Sequence, residues 1–178
     1  MIYYYCGDPK CGKSERVEEE LRKIRGRVLY VGTLPVIQLY QGTILRHKLR
    51  RPAFWDLYDC TGDPLQDIAY LKARVSLFDG VLIDGLAYYI QRALYYYPPD
   101  ANWLIAFRGF LDQVSSLPLH LFLVDQPVGL APPMIRKICG LAHEELYDYC
   151  EKLYYVVDGT VDEVKKDYLR KKDGMNDD

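Results

Sequence analysis

A chain of 178 residues with 49% hydrophobic and 27% charged residues is long enough to bury one core without metal or disulfide staples, and too apolar to be disordered. Its net charge of −2, from 23 basic and 25 acidic residues, argues against a polyanion as its bulk partner, so nucleic acid is not expected. No apolar run approaches the ~20 residues of a membrane-spanning helix, and Ile2 to Cys6 lacks the zones of a signal peptide, so the expectation is a cytoplasmic protein with no membrane contact. The five cysteines are odd in number and form no C-x-x-C pair, which favours buried free thiols over a zinc site.

In chain order, the first element is a short buried strand, Ile2 to Cys6. Gly7-Asp8-Pro9-Lys10-Cys11-Gly12-Lys13-Ser14 follows it and opens a helix with apolar positions Val17, Leu21 and Ile24. These eight residues match G-x-x-x-x-G-K-S/T in the strand-to-helix context that the motif requires. Gly7 and Gly12 permit backbone shapes that aim successive N–H groups at phosphate oxygens. Lys13 would reach the β and γ phosphates, and Ser14 would offer its hydroxyl to Mg²⁺ beside the positive end of the helix.

Further buried strands are expected at Val28 to Val31, Val81 to Ile83, Leu119 to Val124 and Leu153 to Val157, with helical patterns between them. This alternation predicts an α/β, P-loop NTPase-type three-layer fold with a mostly parallel central sheet flanked by helices. One domain, residues 1–169, should carry it, with a charged, fraying tail at 170–178. Val161 to Lys172 reads as a charged helix. Pro98-Pro99 after Tyr95 to Tyr97 ends one helix, and Pro132-Pro133 opens another.

A P-loop needs a carboxylate at a strand end to hold the water shell of Mg²⁺, and both Asp84 and Asp125 end apolar strands. Either is equally readable as a helix cap, and Asp84, with Gly85 and a helical pattern after it, fits both jobs. His120 and His143 lack partners at ligand spacing and read as structural. In Arg46-His47-Lys48-Leu49-Arg50-Arg51-Pro52-Ala53-Phe54-Trp55 one His sits among cations. A solvated basic face is the plain reading. The sharper one is that the cations disfavour a protonated imidazole, which leaves His47 nucleophilic, while they attract a triphosphate.

At this point the chain resembles the bifunctional adenosylcobinamide kinase and adenosylcobinamide-phosphate guanylyltransferase family of cobalamin biosynthesis, over roughly residues 2 to 159. The resemblance rests on the P-loop, on Val28-Leu29-Tyr30-Val31-Gly32-Thr33, and on Ile44, His47, Lys48, Arg51, Pro52 and Trp55 at the family's spacing. Asp84, Val128-Gly129, Arg136, Gly140 and Val156-Val157 with Gly159 extend it.

The resemblance implies a two-step enzyme. ATP or GTP first phosphorylates the aminopropanol arm of adenosylcobinamide. GMP from GTP then passes through the histidine matching His47 to the phosphorylated corrinoid. It further implies that Thr33, Lys48, Arg51 and Asp59 contact nucleotide and that the protein is a homotrimer; Tyr88 or Tyr89 is a candidate for corrinoid contact that the resemblance does not itself supply. Some family positions differ: Lys10-Cys11 in the P-loop, Gly85, Ala87 and Arg92 after Asp84, and Gln126-Pro127. Two other readings therefore stay open: a diverged P-loop kinase of another small molecule, and a nucleotide-binding module without guanylyltransferase activity.

Overall fold

The computed structural model describes residues 1–8, 10–34, 38–94, 101–125 and 133–164. The expectations placed on Pro9, Tyr95 to Pro99, Gln126 to Gly129, Pro132 and the tail 170–178 lie outside these residues.

The five expected strands form, joined by two more. They are β1 (Ile2–Gly7), β2 (Val28–Gly32), β3 (Asp56–Asp59), β4 (Gly80–Asp84), β5 (His120–Val124), β6 (Lys152–Val157) and β7 (Thr160–Val164). The helices are α1 (Lys13–Leu21), α2 (Gln41–Arg50), α3 (Pro64–Arg74), α4 (Leu86–Ala93), α5 (Ala101–Ser115) and α6 (Pro133–Tyr149). Among the described residues one seven-stranded sheet runs in the order β3-β2-β4-β5-β1-β6-β7. Every pairing is parallel except that of β7 with β6.

Side chains alternate across the strands and build two cores. On one face Tyr5, Tyr30, Leu82, Phe122 and Val124 pack with Val17 and Leu21 of α1. On the other, Tyr4, Leu29, Ile83 and Leu123 meet residues of α3, α4, α5 and α6, among them Leu71, Ile90, Phe107 and Leu146. The expected three layers are therefore present, mostly parallel in the middle and thicker on the α3 to α6 side. Tyr4 and Tyr5 are core residues, and Tyr3 stacks on Phe122 with ring centroids 4.8 Å apart.

The expected helix from Val161 is overturned over the residues described, because Thr160–Val164 is a strand antiparallel to β6. Asp158 and Gly159 have φ of 45° and 78°, the paired positive values of a two-residue hairpin turn, for which Asp-Gly is a preferred sequence. That turn sends the chain back along β6 before a helix can start. It also braces the phosphate loop, since the Gly159 N–H donates to the Cys11 carbonyl at 2.9 Å.

All parallel strands end at the same edge of the sheet. Gly7, Gly32, Asp59, Asp84 and Val124 lie there together, where an open α/β sheet places its ligands.

Candidate active site

The phosphate loop leaves β1 at Gly7 with φ of 147°, passes through Lys10 at 60°, and enters α1 through Gly12 at 90°. A Cβ on Gly7 would lie 2.2 Å from the Val156 carbonyl oxygen, so glycine is required there by space as well as by backbone angle. The Lys13 ammonium donates to the carbonyls of Gly7, at 2.8 Å, and Asp8, at 2.5 Å. It thereby spans the loop that it terminates.

Asp84 is the hub. Its side chain is 1% exposed and takes hydrogen bonds from Ser14 Oγ at 2.8 Å and Tyr30 Oη at 2.9 Å. His47 Nδ1 lies 3.0 Å from Asp84 Oδ2 and 3.0 Å from Tyr30 Oη. Because the Tyr30 hydroxyl spends its proton on Asp84, its oxygen is left as an acceptor, and the network assigns the proton of a neutral His47 to Nδ1. Nε2 then carries the free lone pair. Burial pushes the Asp84 carboxyl upward, but the hydrogen bonds from His47, Ser14 and Tyr30 outweigh it and hold it below its ordinary value. Burial first, then the Asp84 charge, push the Tyr30 phenol far up, so it remains a donor.

Alternation separates the two aspartates that ended apolar strands. Leu82 and Asp84 point to the α1 face, where the phosphate loop is. Asp125 faces away from that loop. It accepts from Tyr4 Oη at 2.9 Å and lies 2.7 Å from His143 Nε2. His143 therefore has an acidic partner, contrary to expectation, although its role in joining α6 to β5 is the structural one expected. His120 opens β5 as expected. The cap reading of Asp84 fails, because the N-cap of α4 is Gly85, at φ 97°, and carries no side-chain cap.

The cleft beside this hub is lined by Thr33, His47, Lys48, Arg51, Asp59 and Asp84, with Tyr30 also on its wall. Four residues expected at the nucleotide (Thr33, Lys48, Arg51 and Asp59) thus lie together with His47. Thr33 Oγ1 donates to the Asp84 carbonyl at 2.5 Å, and the Arg51 guanidinium stacks 4.0 Å over the Tyr30 ring.

The expected setting of His47 among cations changes at one point: its ring contacts an anion, Asp84. Arg46 bonds Thr43 and Arg50 bonds Glu15 and Glu18, whereas Lys48 and Arg51 line the same cleft as His47, and Arg51 Nε donates to the His47 carbonyl at 3.1 Å. Tyr89 is buried beneath α4 and has no surface for a corrinoid, whereas Tyr88 is half-buried and meets Tyr40 edge-on. Sequence reasoning missed Tyr30, Glu18 and Arg50. Tyr30 shares the strand parity of the α1 face, and Glu18 lies four residues from Ser14 on the apolar stripe of α1, so both left a signal in the spacing.

A family described as cobinamide kinase / cobinamide phosphate guanyltransferase matches residues 3–164. The chain belongs to this family. No curated protein matches the sequence. Among solved structures, one titled "Structural and biochemical analysis of a prototypical ATPase from the type III secretion system of pathogenic bacteria" superposes with a TM-score of 0.53 at 7% identity. The alignment covers 96% of this chain and 53% of that one, so the chain spans about half the length of that structure. At such identity the likeness concerns the fold alone, and it agrees with a P-loop architecture for this cobinamide kinase / cobinamide phosphate guanyltransferase family member. No helix among the described residues is long and apolar enough to cross a membrane.

Among the described residues no group of three His, Cys, Asp or Glu is placed to hold a metal ion. A hydroxyl next to an ionised carboxylate, as at Ser14 and Asp84, is instead the partial oxygen set that suits Mg²⁺, which keeps several waters and takes other ligands from phosphate.

Proposed function

We propose that this protein phosphorylates adenosylcobinamide and then transfers GMP from GTP to the resulting phosphate through a guanylylated His47. The observation that carries the reading is the contact of His47 Nδ1 with Asp84, the same carboxylate that holds Ser14 of the phosphate loop. A nucleophile and a triphosphate cradle that share one anchor suit a single site for both displacements.

In the first step the aminopropanol hydroxyl oxygen attacks the γ-phosphorus of ATP or GTP. The bond to the β-bridging oxygen breaks, the nucleoside diphosphate leaves, and the hydroxyl proton passes to base. Gly7 to Ser14 hold the phosphates, and the Lys13 ammonium neutralises charge on them. In the second step the Nε2 lone pair of His47 attacks the α-phosphorus of GTP, the bond to the β-bridging oxygen breaks and pyrophosphate leaves. The ring becomes cationic, and Asp84, facing Nδ1–H, stabilises it as a carboxylate stabilises an imidazolium in other nucleophilic sites. A phosphate oxygen of the phosphorylated corrinoid then attacks the same phosphorus, the P–N bond breaks, and neutral His47 returns.

Ser14 and Asp84 would hold Mg²⁺, which when bound supplies charge neutralisation for the phosphates. Thr33, Lys48, Arg51 and Asp59 are proposed to contact the nucleotide in the cleft. A homotrimer in the cytoplasm completes the reading; its oligomeric part is supported by apolar side chains left in the open on and just after α2, where Leu45, Leu49 and Phe54 are 56%, 78% and 76% exposed.

Incubation with ATP, GTP, Mg²⁺ and adenosylcobinamide tests both steps. The expected products are a nucleoside diphosphate, pyrophosphate and a GDP-linked corrinoid. Corrinoid phosphate alone would reduce the protein to a kinase, and the absence of every product would leave a binding module.

A further inference from the structure

The helix that presents His47 buries none of its own residues: Gln41–Arg50 has no buried side chain. Apolar burial, which fixes most helices in place, does not fix this one. Polar contacts with α1 do, in two parallel rungs. One runs from Ser14 through Asp84 to His47. The other joins Arg50 to Glu18, with Nη2 2.8 Å from Oε1, and to Glu15 through Nη1.

Ser14 and Glu18 are four apart on α1, and His47 and Arg50 three apart on α2, so each rung lies one turn from the other on both helices. Rotating or sliding α2 by one residue would break both. Arg22, at the end of α1, adds a bond from Nη2 to the Arg50 carbonyl at 3.3 Å. Glu18 is 2% exposed on the stripe of α1 that carries Val17 and Leu21, where an apolar residue would cost less desolvation. Burial lifts its carboxyl and Arg50 pulls it back.

We propose that the Arg50–Glu18 ion pair is a positioning device for guanylyl transfer. It sets the rotation and height of α2, so that His47 meets the α-phosphorus of a nucleotide held by the helix that carries Glu18. Glu18 and Arg50 touch neither substrate; they act through His47. The proposal rests on the transfer reading above.

The test compares wild type with Glu18→Gln, Arg50→Met, Arg50→Lys and a control, Arg46→Ala, whose guanidinium bonds Thr43 on its own helix. Three quantities are measured: the single-turnover rate of protein labelling by GTP labelled at the α-phosphate, the affinity for GTP, and the melting temperature. Misplacement of a reacting group by about 1 Å costs up to about 100-fold, so Glu18→Gln and Arg50→Met should label at least about 10-fold more slowly. Their GTP affinity should stay within about two-fold, Arg50→Lys should recover part of the rate, and Arg46→Ala should match wild type. Variants that label as fast as wild type overturn the device alone. Labelling, affinity and melting temperature falling together also overturn it, since they mark a general structural role. Wild type that takes no label overturns the transfer reading, and this proposal with it.

Discussion

Asp84 divides one carboxylate among a hydroxyl of the phosphate loop, a phenol and an imidazole, and its depressed pKa follows from those partners. Asp84→Asn keeps the shape but cannot stabilise a cationic His47. Labelling of the protein by GTP should fall by roughly 100-fold or more, by analogy with carboxylate–imidazole pairs elsewhere. The sign of its pH effect is fixed. A carboxyl held lower in the folded than in the unfolded state adds stability that is complete above its unfolded value and is lost as pH falls through the folded one. The stability difference between wild type and Asp84→Asn should therefore shrink in urea melts between neutral pH and about pH 3.

Single residues were legible to different degrees. Lys13, Ser14 and His47 were readable because their spacing is motif-bound. Asp84 and Asp125 were not separable, because both end an apolar strand, and only the side of the sheet that α1 covers distinguishes them. The partner of His143 was invisible because Asp125 lies just past the end of β5 and meets α6 only once that helix packs on the sheet.

At the scale of elements, the phosphate loop is held by close backbone packing. Gly7→Ala would drive a Cβ to 2.2 Å from the Val156 carbonyl oxygen at φ 147°. We expect it to cost more than about 2 kcal/mol and to abolish GTP binding, as a forbidden backbone site predicts. At Gly159, φ 78°, an added Cβ meets nothing within 4 Å, so Gly159→Ala should cost only about 1 kcal/mol, the strain of the turn itself. Urea melts distinguish the two. The strands of the sheet centre were plain in sequence because they are continuous apolar runs. β3 was missed because Asp56-Leu57-Tyr58-Asp59 is short, polar at both ends and half-exposed. β7 was mistaken for a helix because charge hid its alternation, although Asp158-Gly159 announced the hairpin.

For the whole molecule, strand order and alternation bring the ends of β1, β2, β3 and β4 to one edge and leave α2 outside, joined by polar rungs and fringed with exposed Leu45, Leu49 and Phe54. An apolar fringe of this kind calls for a protein cover. The full chain should migrate in light scattering at about three times its 20.7 kDa mass, and Leu49→Glu with Phe54→Glu should shift it toward one. A wild-type monomer would remove the trimer from the account.

Most decisive is the chemistry at His47 itself. Wild type incubated with Mg²⁺ and GTP labelled at the α-phosphate should retain an acid-labile, base-stable label that leaves on adding phosphorylated adenosylcobinamide, and His47→Ala should retain none. Wild type that stays unlabelled while it binds GTP, or His47→Ala that labels equally, would contradict the account.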